Sequence, residues 1–148
     1  MPEIFVDADA CPVRDEVIRV AERHELNVYI VCNGGIRPSR DPRVRIVVVA
    51  DGPDAADDWI AERITAGDIA VTADIPLAAR CIRQGAQVLN HDGKPFTEAG
   101  IGMALAMRDL NQTLRETGEI SGFNRGFSGR DRWRFLEVLE NAVRAAKR

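Results

Sequence analysis

Aspartate residues follow the apolar runs of this chain at the points where β-strands are expected to end. Asp7 and Asp9 follow Ile-Phe-Val, Asp51 follows Val-Val-Val-Ala, and Asp74 follows Ile-Ala-Val-Thr-Ala. Because the carboxyl ends of parallel strands meet at one edge of an open sheet, where such sheets bind ligands, these carboxylates are expected to converge. Clustered carboxylates repel one another and need a compensating cation. Mg²⁺ and Mn²⁺ prefer oxygen ligands, so the pattern predicts a site for one of these ions.

Three parts of the chain contribute to this predicted metal site. Asp7 and Asp9 are two residues apart, so the chain must bend after the strand for both carboxylates to reach one ion. Asp54 and Asp57 are three residues apart and share one face of a predicted helix. Waters would complete an octahedral shell, and a metal-bound water would attack a phosphodiester while the ion neutralises the developing charge. The candidate ligands are Asp7, Asp9, Asp54, Asp57 and Asp74.

A simpler interpretation of each aspartate is that it caps a helix, because Asp is among the preferred residues at helix N-termini. We assign Asp51 and Asp58 to capping and solvent exposure. Capping alone does not require both Asp7 and Asp9, nor an acid at the tips of neighbouring strands. The pattern as a whole therefore favours a binding site.

Strand-like and helix-like segments alternate along the chain, which is typical of an α/β protein with a mostly parallel sheet. The apolar runs predict five strands, at residues 3–7, 27–32, 44–50, 68–71 and 86–89. Helices are predicted after Pro12, after Gly52, and over residues 75–84, 98–117 and 132–146. The connection before the third strand has about ten residues, which is short for a helical crossover, so the order and direction of that strand stay open. The predicted fold is a three-layer sandwich with a five-stranded sheet.

The composition is that of one globular domain, which we place at residues 1–148. Of the 148 residues, 45% are hydrophobic, and the net charge is −3. The apolar runs are far shorter than the roughly 18 residues of a membrane span, and the first residues do not resemble a signal peptide. We therefore expect a cytoplasmic protein with no membrane association. Cys11, Cys32 and Cys81 are odd in number and widely spaced, which argues against a disulfide framework and a zinc site.

Arginine-rich segments supply candidates for phosphate binding, since phosphate contacts come mainly from Arg, Lys and backbone amides. Arg37 and Arg108 are our candidates for substrate contacts, and a solvated basic loop is the alternative. Phe123 and Phe127 are the candidates for stacking against bases. The arginine-rich segments hold Arg37, Arg40, Arg43 and Arg45 in one group and Arg125, Arg130, Arg132 and Arg134 in the other, and Arg108 lies between the two.

The two histidines do not contribute to the predicted site. His24 ends a predicted helix and His91 lies in a turn, and neither has the spacing of a metal ligand. We expect a surface or turn role for both. Cys11 has no histidine close in sequence, so a nucleophilic role for it is not expected.

Four segments carry a resemblance to a known family. They are Val6–Val13, Gly52–Asp57, Gly67–Ala78 and Met107–Leu110. In these segments, and over essentially its full length, the chain resembles the YaiI/YqxD family of uncharacterised bacterial proteins. That family is grouped by resemblance with the PIN-like nucleases, in which a Thr-x-Asp-x-x-Leu run after the fourth strand joins earlier acids in holding magnesium or manganese.

The resemblance implies a single PIN-like domain with a metal site. Thr72, Asp74 and Leu77 occupy the Thr-x-Asp-x-x-Leu run, and Asp7 occupies the position of the first-strand acid. The implied metal ligands are Asp7, Asp9, Asp57 and Asp74, with Asp54 as a further candidate.

The leading hypothesis is a metal-dependent nuclease that acts on RNA or, as the second choice, on DNA. Thr72 would orient a carboxylate or a water, and Arg37 and Arg108 would bind phosphate. Magnesium or manganese would be the cofactor. The catalytic residues of this hypothesis are Asp7, Asp9, Asp57 and Asp74.

Two alternatives come from other functional classes. In an aspartyl-phosphate phosphatase, Asp7 would be the nucleophile and Asp9 the general acid. This is the weaker reading, because Cys11 stands where such enzymes usually have Thr, and the only lysines are Lys94 and Lys147. The other alternative is a non-catalytic domain that binds RNA or a protein partner, since holding an ion does not establish catalysis.

Overall fold

The computed structural model describes residues 2–8, 13–34, 41–49, 55–103, 106 and 129–147. Six strands and five helical segments lie in these ranges, with α4 being the helical segment at residues 98–103. The strands are β1 (Ile4–Asp7), β2 (Val28–Cys32), β3 (Val44–Val48), β4 (Ile69–Val71), β5 (Gln87–Leu89) and β6 (Pro95–Phe96). The other helices are α1 (Arg14–His24), α2 (Ala55–Arg63), α3 (Ile75–Arg83) and α5 (Gly129–Ala146).

All six strands form one sheet in the order β3-β2-β1-β4-β5-β6. Every pair of neighbouring strands from β3 through β5 in this order is parallel, and only β6 runs antiparallel to its neighbour β5. The third strand, whose order and direction the sequence leaves open, lies parallel to β2, with Val28 opposite Val44. The predicted α/β class and mostly parallel sheet are confirmed, although the predicted count of five strands is one too low. The missed strand, β6, has two residues and begins with Pro95, so it carries no strand-like apolar run.

Two apolar layers cover the two faces of the sheet. Along β1, Ile4 and Val6 face one layer, where α1 and α5 pack, and Phe5 faces the other, where α2 and α3 pack. Alternate residues of a strand point to opposite faces, so both faces of β1 are buried. This arrangement confirms the predicted three-layer sandwich.

The helices begin and end for local reasons. Asp74 is the N-cap of α3, and Pro76 occupies an early position where a missing N–H is tolerated. Glu25 ends α1 in the left-handed region with φ 56°, and the backbone N–H of Leu26 donates to the Ala21 carbonyl at 2.9 Å. These local features set the end of α1 and the start of α3.

The last two predicted helices differ from the structure in their extents. The helix predicted over residues 98–117 begins at residue 98, and most of its predicted length lies outside the described residues. Helix α5 begins at Gly129, three residues before the predicted start at Arg132. Across the described part of the chain, no helix is long and apolar enough to cross a membrane.

Candidate functional site

The strand order creates a topological switch point between β1 and β4. From β1 the sheet is built outward through β2 and β3 on one side and through β4 and β5 on the other. Open α/β sheets bind ligands in the crevice at such a point, outside the carboxyl ends of the strands. Asp7 is the last residue of β1, and Thr72 directly follows β4. Both residues therefore lie where this topology favours a ligand site.

The Thr72 hydroxyl joins the two sides of the switch point. It donates to Asp7 Oδ2 at 3.0 Å, and it accepts from the Asp74 backbone N–H at 3.0 Å. Thr72 is 1% exposed, and its own backbone N–H donates to the Leu89 carbonyl of β5 at 3.0 Å. The hydroxyl is thus held as donor and acceptor at once, and it fixes the Asp7 carboxylate relative to the start of α3.

Asp74 is a helix cap in the structure. Its Oδ1 accepts from the Leu77 backbone N–H at 2.9 Å, which satisfies a donor in the first turn of α3. The capping interpretation considered for each aspartate from the sequence therefore holds for this one. Capping uses one carboxylate oxygen, so it leaves the chemistry of the second oxygen open.

Asp57 lies in the first turn of α2, against α3. The hydrogen bond to the neighbouring Asp58 is the main reason that the Arg80 pKa is raised, and the negative charge of Asp57 adds to this effect. The same charge adds to the raised pKa of the Cys81 thiol. Burial is the main cause at Cys81, and it raises the pKa of that thiol to about 12. The neighbouring Asp58 forms an ion pair with Arg80 at 2.7 Å and is half-exposed, which agrees with the predicted solvent role.

The described carboxylates do not by themselves form a metal cluster. Among the residues that the structure describes, no group of three His, Cys, Asp or Glu side chains could hold an ion. Asp9 and Asp54 lie outside those residues. Asp7 and Asp74 contact the same hydroxyl, one through its carboxylate and the other through its backbone N–H. The metal site stays a prediction that needs ligands beyond these two.

Most predicted substrate contacts lie outside the described residues, including Arg37, Arg108, Phe123 and Phe127. Asp51, predicted to cap a helix, and Cys11, predicted to be inert, also lie outside them, as do Arg40 and Arg125. Arg43 and Arg45 are described, and both are exposed beside or on β3.

The two histidines differ from each other. His24 is the last residue of α1, directly before the turn at Glu25, and its side chain is 15% exposed and bonds to Glu140 of α5. His91 does lie in a turn, just beyond the carboxyl end of β5. Its Nε2 is buried and has no hydrogen-bond partner among the described residues, and burial lowers the pKa of the imidazole.

Helix α5 brings its first turn to the same edge of the sheet, which the sequence did not predict. Arg132 forms an ion pair with Glu16 in the first turn of α1, and Glu16 is 7% exposed. On the other side, a Cβ at Gly93 would lie 2.9 Å from the carbonyl carbon of Arg134, so the turn after β5 packs against α5. No local signal reveals these contacts, because Glu16 and Arg132 are 116 residues apart.

Comparison with known proteins gives one consistent result. A family model described as the uncharacterized YaiI/YqxD family matches residues 5–145. A UPF0178 protein of Parvibaculum lavamentivorans is 60% identical over 148 residues, covering 100% of this chain and 97% of its own length. A UPF0178 protein of Rhodospirillum rubrum is 58% identical over 147 residues, covering 99% of this chain and 98% of its own length.

A third relative extends the same pattern. The UPF0178 protein of Agrobacterium fabrum is 57% identical over 147 residues, covering 99% of this chain and 96% of its own length. No solved structure matches the chain. The family match covers nearly the whole sequence, and these relatives match from end to end. The chain therefore belongs to the YaiI/YqxD family.

Proposed function

We propose that this protein is a divalent-metal-dependent nuclease that hydrolyses phosphodiester bonds, with RNA favoured over DNA. One observation carries the proposal: the buried Thr72 hydroxyl ties the Asp7 carboxylate to the start of α3 at the switch point of the sheet. A carboxylate held in one orientation at a ligand-binding edge is suited to a metal ion, because coordination needs fixed ligand geometry.

The donor types suit magnesium or manganese. Both ions take carboxylate oxygens and complete their shells with water. Asp7 and Asp74 would be ligands from β1 and from the start of α3. The further ligands would be Asp9, Asp54 and Asp57.

The division of work among the residues follows from their contacts. A bound ion would supply Lewis acidity and an acidified water. Thr72 would keep the Asp7 carboxylate from rotating, because its hydroxyl is fixed by the Asp74 N–H. Arg37 and Arg108 would bind the substrate phosphates. A protein of net charge −3 needs such local cations to approach a polyanion.

The experiment is a cleavage assay on single-stranded RNA labelled at its 5′ end, with manganese or with chelator. Asp57→Asn and Asp58→Asn form a matched pair, because these neighbours share one helix but only Asp57 is a proposed ligand. We expect metal-dependent cleavage by the wild type and Asp58→Asn, and its loss in Asp7→Asn and Asp57→Asn. Manganese should also raise the wild-type melting temperature by mass action.

Three outcomes would contradict the proposal. Equal melting temperatures in manganese and chelator would remove the metal site. Release of phosphate from monoesters with a trapped phosphoryl group on Asp7 would identify a phosphatase. Metal-dependent RNA binding without cleavage under any condition would identify a non-catalytic binding domain.

A further inference from the structure

Trp133 in α5 has a surface position that packing does not explain. Its side chain is 76% exposed, the highest value among the large hydrophobic residues of the described part of the chain. The other tryptophan, Trp59, packs against the rings of Phe5 and Tyr29, with centroids 6.1 and 5.8 Å away. Trp133 therefore contributes little to the core.

The residues around Trp133 give its surface a positive character. Arg130 and Arg134 lie three residues before it and one after it, so all three border one exposed side of the first two turns. Within the described residues, neither arginine has an ion-pair partner. Glu137, one turn further along, ends this positive surface.

This surface is close to the edge that carries the candidate site. Arg132, next to Trp133, pairs with Glu16 in the first turn of α1, which follows β1. Arg134 packs on the turn that follows β5, and β5 is hydrogen-bonded to Thr72 through Leu89. The first turns of α5 therefore adjoin the carboxyl ends of β1, β4 and β5.

We propose that Trp133, with Arg130 and Arg134, is a binding site for single-stranded nucleic acid, in which a base stacks on the indole and the guanidinium groups contact the adjacent phosphates. This inference rests on the proposed nuclease function and names how its substrate is held. Base stacking on an exposed aromatic beside a positive track is the usual way to bind single strands without reading their sequence. Arginine matches phosphate geometry with two parallel donors.

Tryptophan fluorescence provides a direct test, because the chain has only two tryptophans. In Trp59→Phe, all indole emission comes from Trp133, and in Trp133→Phe it comes from Trp59. An oligouridylate of about ten nucleotides, which is within the usual site size, is mixed rapidly with each variant in manganese and read before turnover. We expect quenching in Trp59→Phe and none in Trp133→Phe.

Affinity provides the second readout, measured by anisotropy of a labelled oligouridylate. Trp133→Ala should weaken binding by about 5- to 150-fold, the fold-change expected when one base–aromatic stack is removed. Val48→Ala is the matched control. Val48 is also an exposed hydrophobic residue, at 64%, and it lies on β3, the outermost strand on the side of the sheet away from β5 and β6. The Arg130→Ala/Arg134→Ala double variant should flatten the dependence of log affinity on log salt by roughly 0.7 for each phosphate that is no longer neutralised.

The outcomes separate this inference from the nuclease proposal. If the oligonucleotide binds and is cleaved while Trp133 emission and the Trp133→Ala affinity are unchanged, the site is wrong and the nuclease proposal stands. If the wild type binds no oligonucleotide in manganese, both fail. If Trp133 emission changes with protein concentration and not with RNA, the surface pairs with a second copy, which overturns the inference.

Discussion

Replacing Thr72 with valine is the most informative single change, because it deletes one buried hydroxyl and keeps the branched shape of the side chain. In the wild type that hydroxyl donates to Asp7 Oδ2 and accepts from the Asp74 N–H, both at 3.0 Å. Thr72 is 1% exposed, so water does not replace these partners in the variant. The carboxylate and the backbone N–H would each lose one hydrogen bond.

The expected loss of stability follows from these two bonds. A hydrogen bond to a charged group contributes about 1.5–3 kcal/mol and one to a neutral group about 0.5–1.5 kcal/mol. Because Asp7 has other interactions that compensate in part, we expect the free energy of unfolding to fall by about 2–4 kcal/mol. For a domain of this size, that corresponds to roughly 5–15 °C in melting temperature.

The assay is urea denaturation in chelator, with Thr72→Ser as the matched control. Serine keeps the hydroxyl and loses one buried methyl group, which costs about 0.8 kcal/mol. Thr72→Val should therefore be the less stable variant by more than about 1 kcal/mol. A Thr72→Val protein within about 0.5 kcal/mol of wild type, or less damaged than Thr72→Ser, would refute the argument that this hydroxyl holds the edge together.

Two further predictions concern single residues. Asp74→Asn should keep metal-free stability, since Asn caps as well as Asp, whereas Asp74→Ala should lose about 1 kcal/mol of unfolding free energy, measured by thermal denaturation. Both variants should lose manganese-dependent cleavage. An active Asp74→Asn protein would show that Asp74 is only a helix cap. Burial lowers the His91 pKa below its usual 6.5, so the unfolded chain takes up a proton first and stability should decline as the pH falls below about 6.5. Urea midpoints at pH 7.5 and 5.5 should differ less in His91→Gln than in wild type, and an equal difference would contradict this.

The pH range in which His91 affects the free energy of unfolding is separate from the range in which Glu140 does. Burial alone would raise the pKa of Glu140, but hydrogen bonds from His24 and Arg23 hold it below its usual 4.5. Stability from this carboxylate is therefore present above pH 4.5 and lost only as the pH falls further. The comparison at pH 7.5 and 5.5 thus reports on His91 with little contribution from Glu140.

Local sequence patterns were sufficient to predict the class of fold and where several helices and strands begin or end. Apolar runs of four to seven residues alternating with helical stripes predicted the α/β sandwich. The Asp74-Ile75-Pro76 segment marked the start of α3, because a cap and an early proline are properties of one turn of chain. The same segments carried the resemblance to the YaiI/YqxD family, which the comparisons confirm.

Tertiary structure decided which elements meet. The order β3-β2-β1-β4-β5-β6 depends on pairing between strands from distant parts of the chain, so the switch point beside Asp7 could not be read from any one segment. The Thr72–Asp7 hydrogen bond joins residues 65 positions apart, and the first turn of α5 reaches the same edge through Arg132. Such contacts leave no mark on local periodicity, because the energy that selects them comes from packing between layers. The sequence alone therefore identified the candidate aspartates. The tertiary structure determined that the buried Thr72 hydroxyl joins Asp7 to the start of α3.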